Sequence, residues 1–239
     1  MAERPGQRPS LGKAPRRTAE RILQAALTQF NRFGEPNVTT AQVAAELRIS
    51  PGNLHYHFRT KDDLVNALFG EFDAKLAPLL EASPEASDLE DAWFVLHSLF
   101  ELIWQYRFLY RDLNHLLGKN RLLETRFQSI LQDKARAMQA MLAGLHGSGV
   151  LRIEAQEIDN AATSMVLQLS YWLSYEFVLD PRHALEDANA DRAMLRGARQ
   201  ALGLLAPYVR SGHRAHMQAL CGAYEERSAA PPGPAESVS

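Results

Sequence analysis

Apolar side chains recur every three or four residues along most of this chain, and this spacing limits what it can fold into. One such series is Ile22, Ala26 and Phe30, and another includes Leu64 and Leu68. A period near 3.6 residues places these side chains on one face of an α-helix. The alternation typical of a half-buried strand is almost absent, so the sequence predicts an all-α protein.

Short helices are predicted in the first quarter of the chain. The first helix ends before Gly34, a residue favoured just after helix ends. Thr39 or its neighbour can cap the second helix. The third opens on Ser50-Pro51, a capping residue followed by proline at the first helical position, where its missing N–H is tolerated.

Two short helices joined by a three- or four-residue turn are typical of a helix-turn-helix. The second of them carries Gly52, Asn53, His55, Tyr56 and His57 around two apolar anchors, Leu54 and Phe58. Hydrogen-bonding side chains of this kind suit a helix lying in the major groove, where base edges offer donors and acceptors. An ordinary surface helix is the alternative, although such a helix would more often present Glu and Lys.

Residues 22–64 resemble the DNA-binding domain of TetR-family transcriptional regulators. The matching residues are Phe30 and Gly34, then Thr39-Thr40, then the gap-free run Ser50-Pro51-Gly52-Asn53-Leu54-His55-Tyr56-His57-Phe58-Arg59-Thr60-Lys61-Asp62-Asp63-Leu64. The resemblance implies an all-α fold, in which an N-terminal three-helix helix-turn-helix DNA-binding domain precedes a larger helical domain for ligand binding and dimerisation. It implies a homodimeric repressor released from a palindromic operator by a small-molecule effector. A TetR-fold activator, or an all-helical interaction protein without ligand control, remains the alternative.

The resemblance also implies which residues meet DNA. Hydroxyls and N–H groups near Thr39 suit phosphates, as does Lys61, while Asn53 is expected to read a base. The full predicted DNA-binding set is Thr39, Thr40, Arg48, Ser50, Pro51, Gly52, Asn53, His55, Tyr56, His57 and Lys61.

Three residues depart from the family pattern. His55 stands where tyrosine is usual, Glu35 stands where an aromatic residue is common, and Arg48 stands where glycine often occupies the turn. A left-handed backbone at Arg48 would cost about 1 kcal/mol. A phosphate contact by the Arg48 side chain would offset that cost.

Charge is divided unevenly along the chain. Up to Lys61 there are ten Lys or Arg and four Glu, so 10 − 4 = +6, whereas the remainder has 16 basic and 24 acidic residues, so 16 − 24 = −8. A basic end on an acidic body suggests an anionic partner at the N-terminal end, which here is double-stranded DNA. A merely solvated surface is the alternative.

Composition excludes several classes of protein. No apolar run approaches the roughly 18 residues needed to cross a bilayer, so no membrane partner is expected. The N-terminus has no apolar core of a signal peptide, and Cys221 is the only cysteine, which together indicate a cytoplasmic protein. No nucleophile elbow, phosphate loop, Cys-His pair or metal triad is present, so we expect no enzyme, cofactor or metal.

A homodimer is expected to form through the helices around residues 156–179 and 191–209. Small residues recur one helical turn apart at Ala193, Gly197 and Ala201, which permits close helix approach. The other helix has an apolar stripe, formed by Val166, Leu169, Leu173 and Phe177. Both stripes can instead belong to the core of a single chain.

The body of the chain is rich in aromatic residues, and the resemblance implies a pocket there for a small apolar effector. Such pockets are mostly apolar with a few polar groups. The predicted pocket residues are Trp93, His97, Phe100, Glu101, Trp104, Arg107, Phe108, Arg111, Trp172 and Tyr175. A core or surface position is the alternative for each of them. His97 and Glu101 have the spacing of two metal ligands but lack a third.

Four segments are predicted. Residues 1–16 form a flexible basic arm, and residues 17–62 form the helix-turn-helix DNA-binding domain. Residues 63–227 form the helical effector-binding and dimerisation domain, and residues 228–239 form a disordered tail rich in proline.

Overall fold

The computed structural model describes the backbone of residues 13–229 and the side chains of residues 16–222. It divides the chain into two compact units, Met1–Leu68 and Phe69–Ser239. The division falls inside a helix, α4, whereas the sequence analysis placed the change of domain near its start, at residues 62–63. We call the two parts unit 1 and unit 2.

Unit 1 contains α1 (Lys13–Phe33), a 3-10 turn (Glu35–Asn37), α2 (Thr40–Glu46), α3 (Pro51–His57) and the beginning of α4 (Lys61–Ala82). Its core is formed by most of the residues that the helical spacing selected, whereas Phe33, which the same spacing places on the buried face of α1, is exposed. These buried side chains are Ile22, Ala26, Phe30, Val43, Ala44, Leu54, Leu64 and Leu68. The all-α prediction and the N-terminal helix-turn-helix are confirmed.

The first turn of α1 corrects the predicted flexible arm. Lys13–Arg16 are helical, because proline is tolerated in a first turn and Arg16 Nε lies 3.2 Å from Glu20 Oε1 one turn further on. Residues 1–12 of the arm lie outside the described part of the chain. At the other end, residues 228 and 229 of the predicted tail belong to the last helix, and residues 230–239 lie outside the described part.

Unit 2 is built from long helices. After a 3-10 turn (Ser83–Glu85) come α5 (Leu89–Gln105), α6 (Arg107–Arg111), α7 (Leu113–Lys119), α8 (Arg121–Gly147), α9 (Ala155–Leu179), a 3-10 turn (Asp187–Asn189), α10 (Ala190–Gly203), a 3-10 turn (Ser211–His213) and α11 (Arg214–Ala229). Helix α8 packs on α9, and α10 packs on α5, α9 and α11. No helix of the described residues has the length and apolar character needed to cross a membrane.

The apolar and aromatic pattern of the sequence also predicts one long helix from Leu89 to about Leu117, interrupted at Gly118, and this prediction is wrong. The backbone leaves helical geometry at Tyr106 (φ −115°, ψ 37°) and again at Asp112 (φ −99°, ψ 17°), while Gly118, the expected interruption, lies within α7. All five residues from Tyr106 to Tyr110 are buried. A straight amphipathic helix buries only one face, and the bends at Tyr106 and Asp112 accompany the burial of all five residues.

The helix predicted over residues 191–209 is shorter than expected. It ends at Gly203, and turns lead to Val209, which forms an antiparallel bridge with Leu151. The backbone there bonds to the segment after α8, since Arg152 N–H donates to Tyr208 O (2.8 Å). Pro207 lies in this stretch and cannot continue a helix.

The two stripes predicted to form a dimer face lie inside the chain, which corrects that interpretation. Ala193, Gly197 and Ala201 are buried, and a Cβ added at Gly197 would lie 2.6 Å from the Phe100 ring and 2.8 Å from Trp172. In α9, Val166, Leu169 and Leu173 are buried, and only Phe177 of that stripe is exposed. Small residues permit close helix approach, and the helices that α10 approaches here, α5 and α9, belong to the same chain.

Candidate functional site

The start of α2 is fixed by a reciprocal cap. Thr39 Oγ1 accepts a hydrogen bond from Gln42 N–H (3.3 Å), and Gln42 Oε1 accepts from Thr39 N–H (2.7 Å) and from the Thr39 hydroxyl (2.9 Å). This capping box orients the exposed end of α2. Thr40 is the first residue of the helix and is partly exposed.

The turn between α2 and α3 passes through Arg48, which is exposed and has φ 55°. Its N–H donates to Ala45 O (3.0 Å), and Ile49 N–H donates to Ala44 O (3.0 Å), so the turn is closed by backbone bonds. The left-handed conformation considered from the sequence is therefore present, at a cost of about 1 kcal/mol for a non-glycine residue. The Arg48 side chain is left on the surface.

Helix α3 presents a polar face above one buried anchor. Ser50 Oγ accepts from Asn53 N–H (3.2 Å), Pro51 occupies the first turn, and Leu54 is fully buried. The exposed residues are Pro51, Gly52, Asn53, His55 and Tyr56, and Tyr56 is 74% exposed. His57 and Phe58 are half-buried, so Phe58 is a weaker anchor than Leu54.

Gly52 has no packing role within the chain. A Cβ added there would meet nothing closer than Ser50 Oγ at 4.0 Å, which is ordinary contact. The missing side chain therefore leaves room on the outer side of α3, where another molecule can approach the backbone. One ring nitrogen of His55 already has a partner within the chain, because its Nδ1 lies 3.0 Å from Arg59 O.

Lys61 forms an ion pair with a buried glutamate, Glu35, elsewhere in unit 1. Its Nζ lies 2.8 Å from Glu35 Oε1 and donates to Glu35 O (3.0 Å), while the Glu35 side chain is 6% exposed and that of Lys61 is 30% exposed. The sequence analysis assigned Lys61 to a phosphate and left Glu35 without a role. The structure joins them, which ties the start of α4 to the turn after α1.

The predicted effector residues in unit 2 form separate contacts. The Trp93 and His97 rings stack with centroids 5.1 Å apart, and His97 Nε2 lies 3.3 Å from Glu101 Oε1. Glu101 and Tyr175 are exposed, so their side chains lie at the surface of the single chain. Phe100 and Trp172 both contact α10 at Gly197, and Phe108 is fully buried.

The two predicted arginines of this set contact protein groups. Arg107 donates to Leu185 O (3.1 Å), to Trp104 O (3.3 Å) and to Asp187 Oδ1 (2.7 Å), and its guanidinium lies 4.8 Å from the Trp104 ring centre. Burial lowers the pKa of Arg107, and Asp187 opposes that shift. Arg111 binds the carboxylate of Asp112, its neighbour in sequence (3.1 Å).

No group of three or more His, Cys, Asp or Glu side chains able to hold a metal ion is found among the described residues. A surface groove of about 460 Å³ in unit 2 is lined by α4 and α8 residues that include Leu80, Arg126 and Ala137. The ten predicted effector residues are not part of that groove.

Two family models match this chain. The model for bacterial regulatory proteins of the tetR family matches residues 22–68, and the model for a bacterial transcriptional repressor, TetR, matches residues 71–217. A crystal structure of a TetR-family transcriptional regulator from Marinobacter aquaeolei is 31% identical, covers 87% of this chain and 98% of that chain, and has a TM-score of 0.77. The chain belongs to the TetR family.

The matches to curated relatives cover less than half the length of either protein. A helix-turn-helix-type transcriptional repressor of Mycobacterium tuberculosis is 35% identical over 74 residues, which is 31% of this chain and 39% of the relative. A gamma-butyrolactone receptor of known structure is 16% identical, covers 90% of this chain and 99% of that chain, and has a TM-score of 0.63. That likeness concerns the fold alone.

Sequence reasoning missed several buried polar groups in unit 2 of this TetR-family protein. Lys134 is fully buried and hydrogen-bonds to the Tyr110 hydroxyl, and Ser170 Oγ is buried without a hydrogen-bond partner among the described residues. A lysine on the apolar side of a long helix was the available signal. Its neighbours Ile130, Ala137 and Met138 are all buried.

Proposed function

We propose that this protein is a sequence-specific DNA-binding transcriptional regulator, most directly a repressor that acts in the cytoplasm. The observation that carries the proposal is the construction of α3. Its exposed residues include the hydrogen-bonding side chains of Asn53, His55 and Tyr56, and the helix is held by one buried leucine. Base edges in the major groove are read by side chains of this kind.

Each part of the exposed face has an assigned contact. Asn53 reads a base edge, because an amide can donate to and accept from adenine at once. Thr39, Thr40, Tyr56 and His57 contact phosphates, and Arg48 reaches a further phosphate from the adjacent turn. Lys61 contacts DNA only if a phosphate competes with Glu35 for its ammonium.

We further propose that two copies bind a palindromic operator. A single recognition helix reads only a few base pairs, and two-fold pairing doubles the site. The apolar surface available for pairing is the outer face of α9, where Leu167, Tyr171, Tyr175 and Val178 are exposed at spacings of four, four and three residues. This face replaces the two buried stripes and remains within the helix originally assigned to the dimer.

An effector is proposed to act within unit 2, among the aromatic residues between Trp93 and Phe108 and those near Trp172. To release DNA, the effector must bind the state without DNA more tightly than the DNA-bound state. Helix α4 is the proposed link, since it runs without interruption from Lys61 in unit 1 to Ala82 in unit 2.

The test is selection of preferred duplexes from a random pool by the full chain, followed by affinity measurements across a range of salt concentrations. We expect an enriched palindrome and an affinity that falls steeply with salt, because phosphate contacts release counterions. Sedimentation of the complex should give two chains per duplex. Binding without sequence preference, or no binding at low ionic strength, would contradict the proposal.

A further inference from the structure

Lys134 is a buried cation with unusual surroundings in unit 2. Its side chain is fully buried on α8, its Nζ donates to the Tyr110 hydroxyl at 3.0 Å, and the same atom lies 4.8 Å from the centre of the Tyr110 ring. Among the described side chains, no carboxylate pairs with it. A lysine is almost never buried without such a partner unless its amine is neutral.

The environment of Lys134 is a cluster of rings from three helices. The Tyr110 ring of α6 meets Phe72 of α4 at 5.8 Å and Phe127 of α8 at 5.7 Å, and Phe69 of α4 lies 6.4 Å from Phe127. We call these four rings and Lys134 the ring cluster. Because apolar surroundings disfavour charge, burial lowers the pKa of the Lys134 ammonium to about 7 and raises the pKa of the Tyr110 phenol.

The charged groups of the neighbouring elements do not neutralise Lys134. The charged residues of these elements include Glu71, Asp73 and Lys75 on α4, Glu85 in the following turn, Arg107, Arg111 and Asp112 around α6, His115 on α7, Arg126, Asp133 and Arg136 on α8, and Asp159 on α9. Five of the carboxylates bind other groups. Asp73, Asp112 and Asp133 form ion pairs with Arg126, Arg111 and Arg136, respectively. Glu71 accepts a hydrogen bond from Tyr106, and Asp159 accepts one from Gln139.

We propose that Lys134 and Tyr110 form a proton-operated latch within unit 2. While the Lys134 amine is neutral, the ring cluster stays closed and the amine and the Tyr110 hydroxyl satisfy each other. When the amine takes up a proton, the cluster opens so that water can solvate the ammonium. Opening frees Phe69 and Phe72, and therefore loosens the hold of unit 2 on α4.

The direction of the pH response follows from linkage. The open cluster has a lysine of ordinary pKa, near 10.5, whereas the closed cluster holds the value near 7. Between these values the open state binds one more proton than the closed state, so each pH unit of acidification raises the open-to-closed ratio about tenfold. Below pH 7 both states are protonated and the ratio no longer changes.

The first test is a titration of the lysines of the wild-type protein between pH 5.5 and 9. The NMR chemical shifts of the lysine side-chain Cε atoms report the protonation of each amine. We expect one lysine to titrate near pH 7, and its signal to be missing in Lys134→Met. If no lysine of the wild type titrates below about pH 9, the latch is overturned.

The second test is amide hydrogen exchange in α4 and α8, corrected for the intrinsic pH dependence of exchange. In the wild type we expect the opening ratio to be about fivefold larger at pH 7 than at pH 8, since the closed state is already half protonated at pH 7, and nearly equal at the two pH values in Lys134→Met. Lys119→Met removes an exposed lysine and should behave as the wild type does. Parallel profiles in wild type and Lys134→Met would overturn the latch.

Neither measurement uses DNA, so failure of the latch and failure of the proposed DNA-binding function are distinguishable. If Lys134→Met does not fold, the titration of the wild type decides the matter alone.

Discussion

Among single residues, the pair of Glu35 and Lys61 shows how one departure from a family pattern changes the role of a second residue. Glu35 occupies a position where an aromatic side chain is common, and it is buried against the ammonium of Lys61. A buried carboxylate that loses its cation is left uncompensated. Lys61 therefore stabilises unit 1 whether or not it touches DNA.

Replacing Lys61 by Met should lower the free energy of unfolding by about 2 kcal/mol, less than for a fully buried pair because the lysine remains partly exposed. Urea unfolding measures this loss, and Lys119→Met, at an exposed position, should change it little. The salt dependence of DNA affinity separates the two roles. A phosphate contact by Lys61 would make the slope of log K against log salt smaller by about 0.9, while an unchanged slope with reduced stability would assign the residue to Glu35 alone.

Arg48 permits a similar separation of backbone and side-chain effects. Arg48→Gly should raise the free energy of unfolding by about 0.5 kcal/mol, since relief of the left-handed strain exceeds the added freedom of the unfolded chain. Arg48→Ala keeps the strain and should not stabilise unit 1. If Arg48 contacts a phosphate, both variants weaken binding to every duplex alike, and equal affinity in all three proteins would remove Arg48 from the interface.

Among helices, α10 tests the packing that corrected the predicted dimer face. Gly197→Ala should lower the free energy of unfolding by about 1–2 kcal/mol, because the added methyl group meets the Phe100 and Trp172 rings. Gly203→Ala is the matched control, since a Cβ there meets nothing within 4 Å. Thermal or urea unfolding of both variants measures the difference. Equal stability of the two variants would show that α10 does not pack as described.

Helix boundaries were predictable where local chemistry fixes them. Helix α9 has the predicted bounds, and α1 ends before Gly34 as expected, because proline and glycine act locally. The bends at Tyr106 and Asp112 were not predictable, since they allow five consecutive residues to be buried by distant helices. Whether the small residues of α10 face a second chain or α5 also depends on tertiary packing. Periodicity identifies a buried face without identifying its partner.

In the candidate DNA-binding site, too, features fixed by local chemistry were predictable, and features fixed by tertiary packing were not. The exposed face of α3 could be predicted because capping and one leucine orient a short helix. The ion pair between Glu35 and Lys61 joins residues 26 positions apart, so no local sequence pattern predicts it. The burial of Lys134 was not predictable either. A lysine on an apolar helix face normally extends its aliphatic chain so that the ammonium reaches solvent, whereas the Lys134 side chain is fully buried.

For the whole molecule, the proposed recognition of a palindromic operator depends on the proposed pairing of two chains. Tyr171 and Leu167 lie on the exposed apolar face of α9, so Tyr171→Glu should place a charge in the proposed interface without disturbing the core. We expect the variant to sediment as a folded monomer and to lose most of its affinity for the full palindrome. Phe94→Glu, at another exposed aromatic residue, should remain dimeric. A dimeric Tyr171→Glu protein would contradict this assignment of the interface.

The claim on which the account depends is that the outward side of α3 reads base edges, and Asn53 tests it most directly. The measurement is the affinity of wild type and Asn53→Ala for the selected operator and for duplexes in which each base pair is changed in turn. We predict that the variant loses about 1–3 kcal/mol of discrimination at one base pair in each half-site and keeps its preferences elsewhere. Gln24→Ala, on the exposed surface of α1, should leave every preference intact. Identical base preferences in wild type and Asn53→Ala would contradict the account.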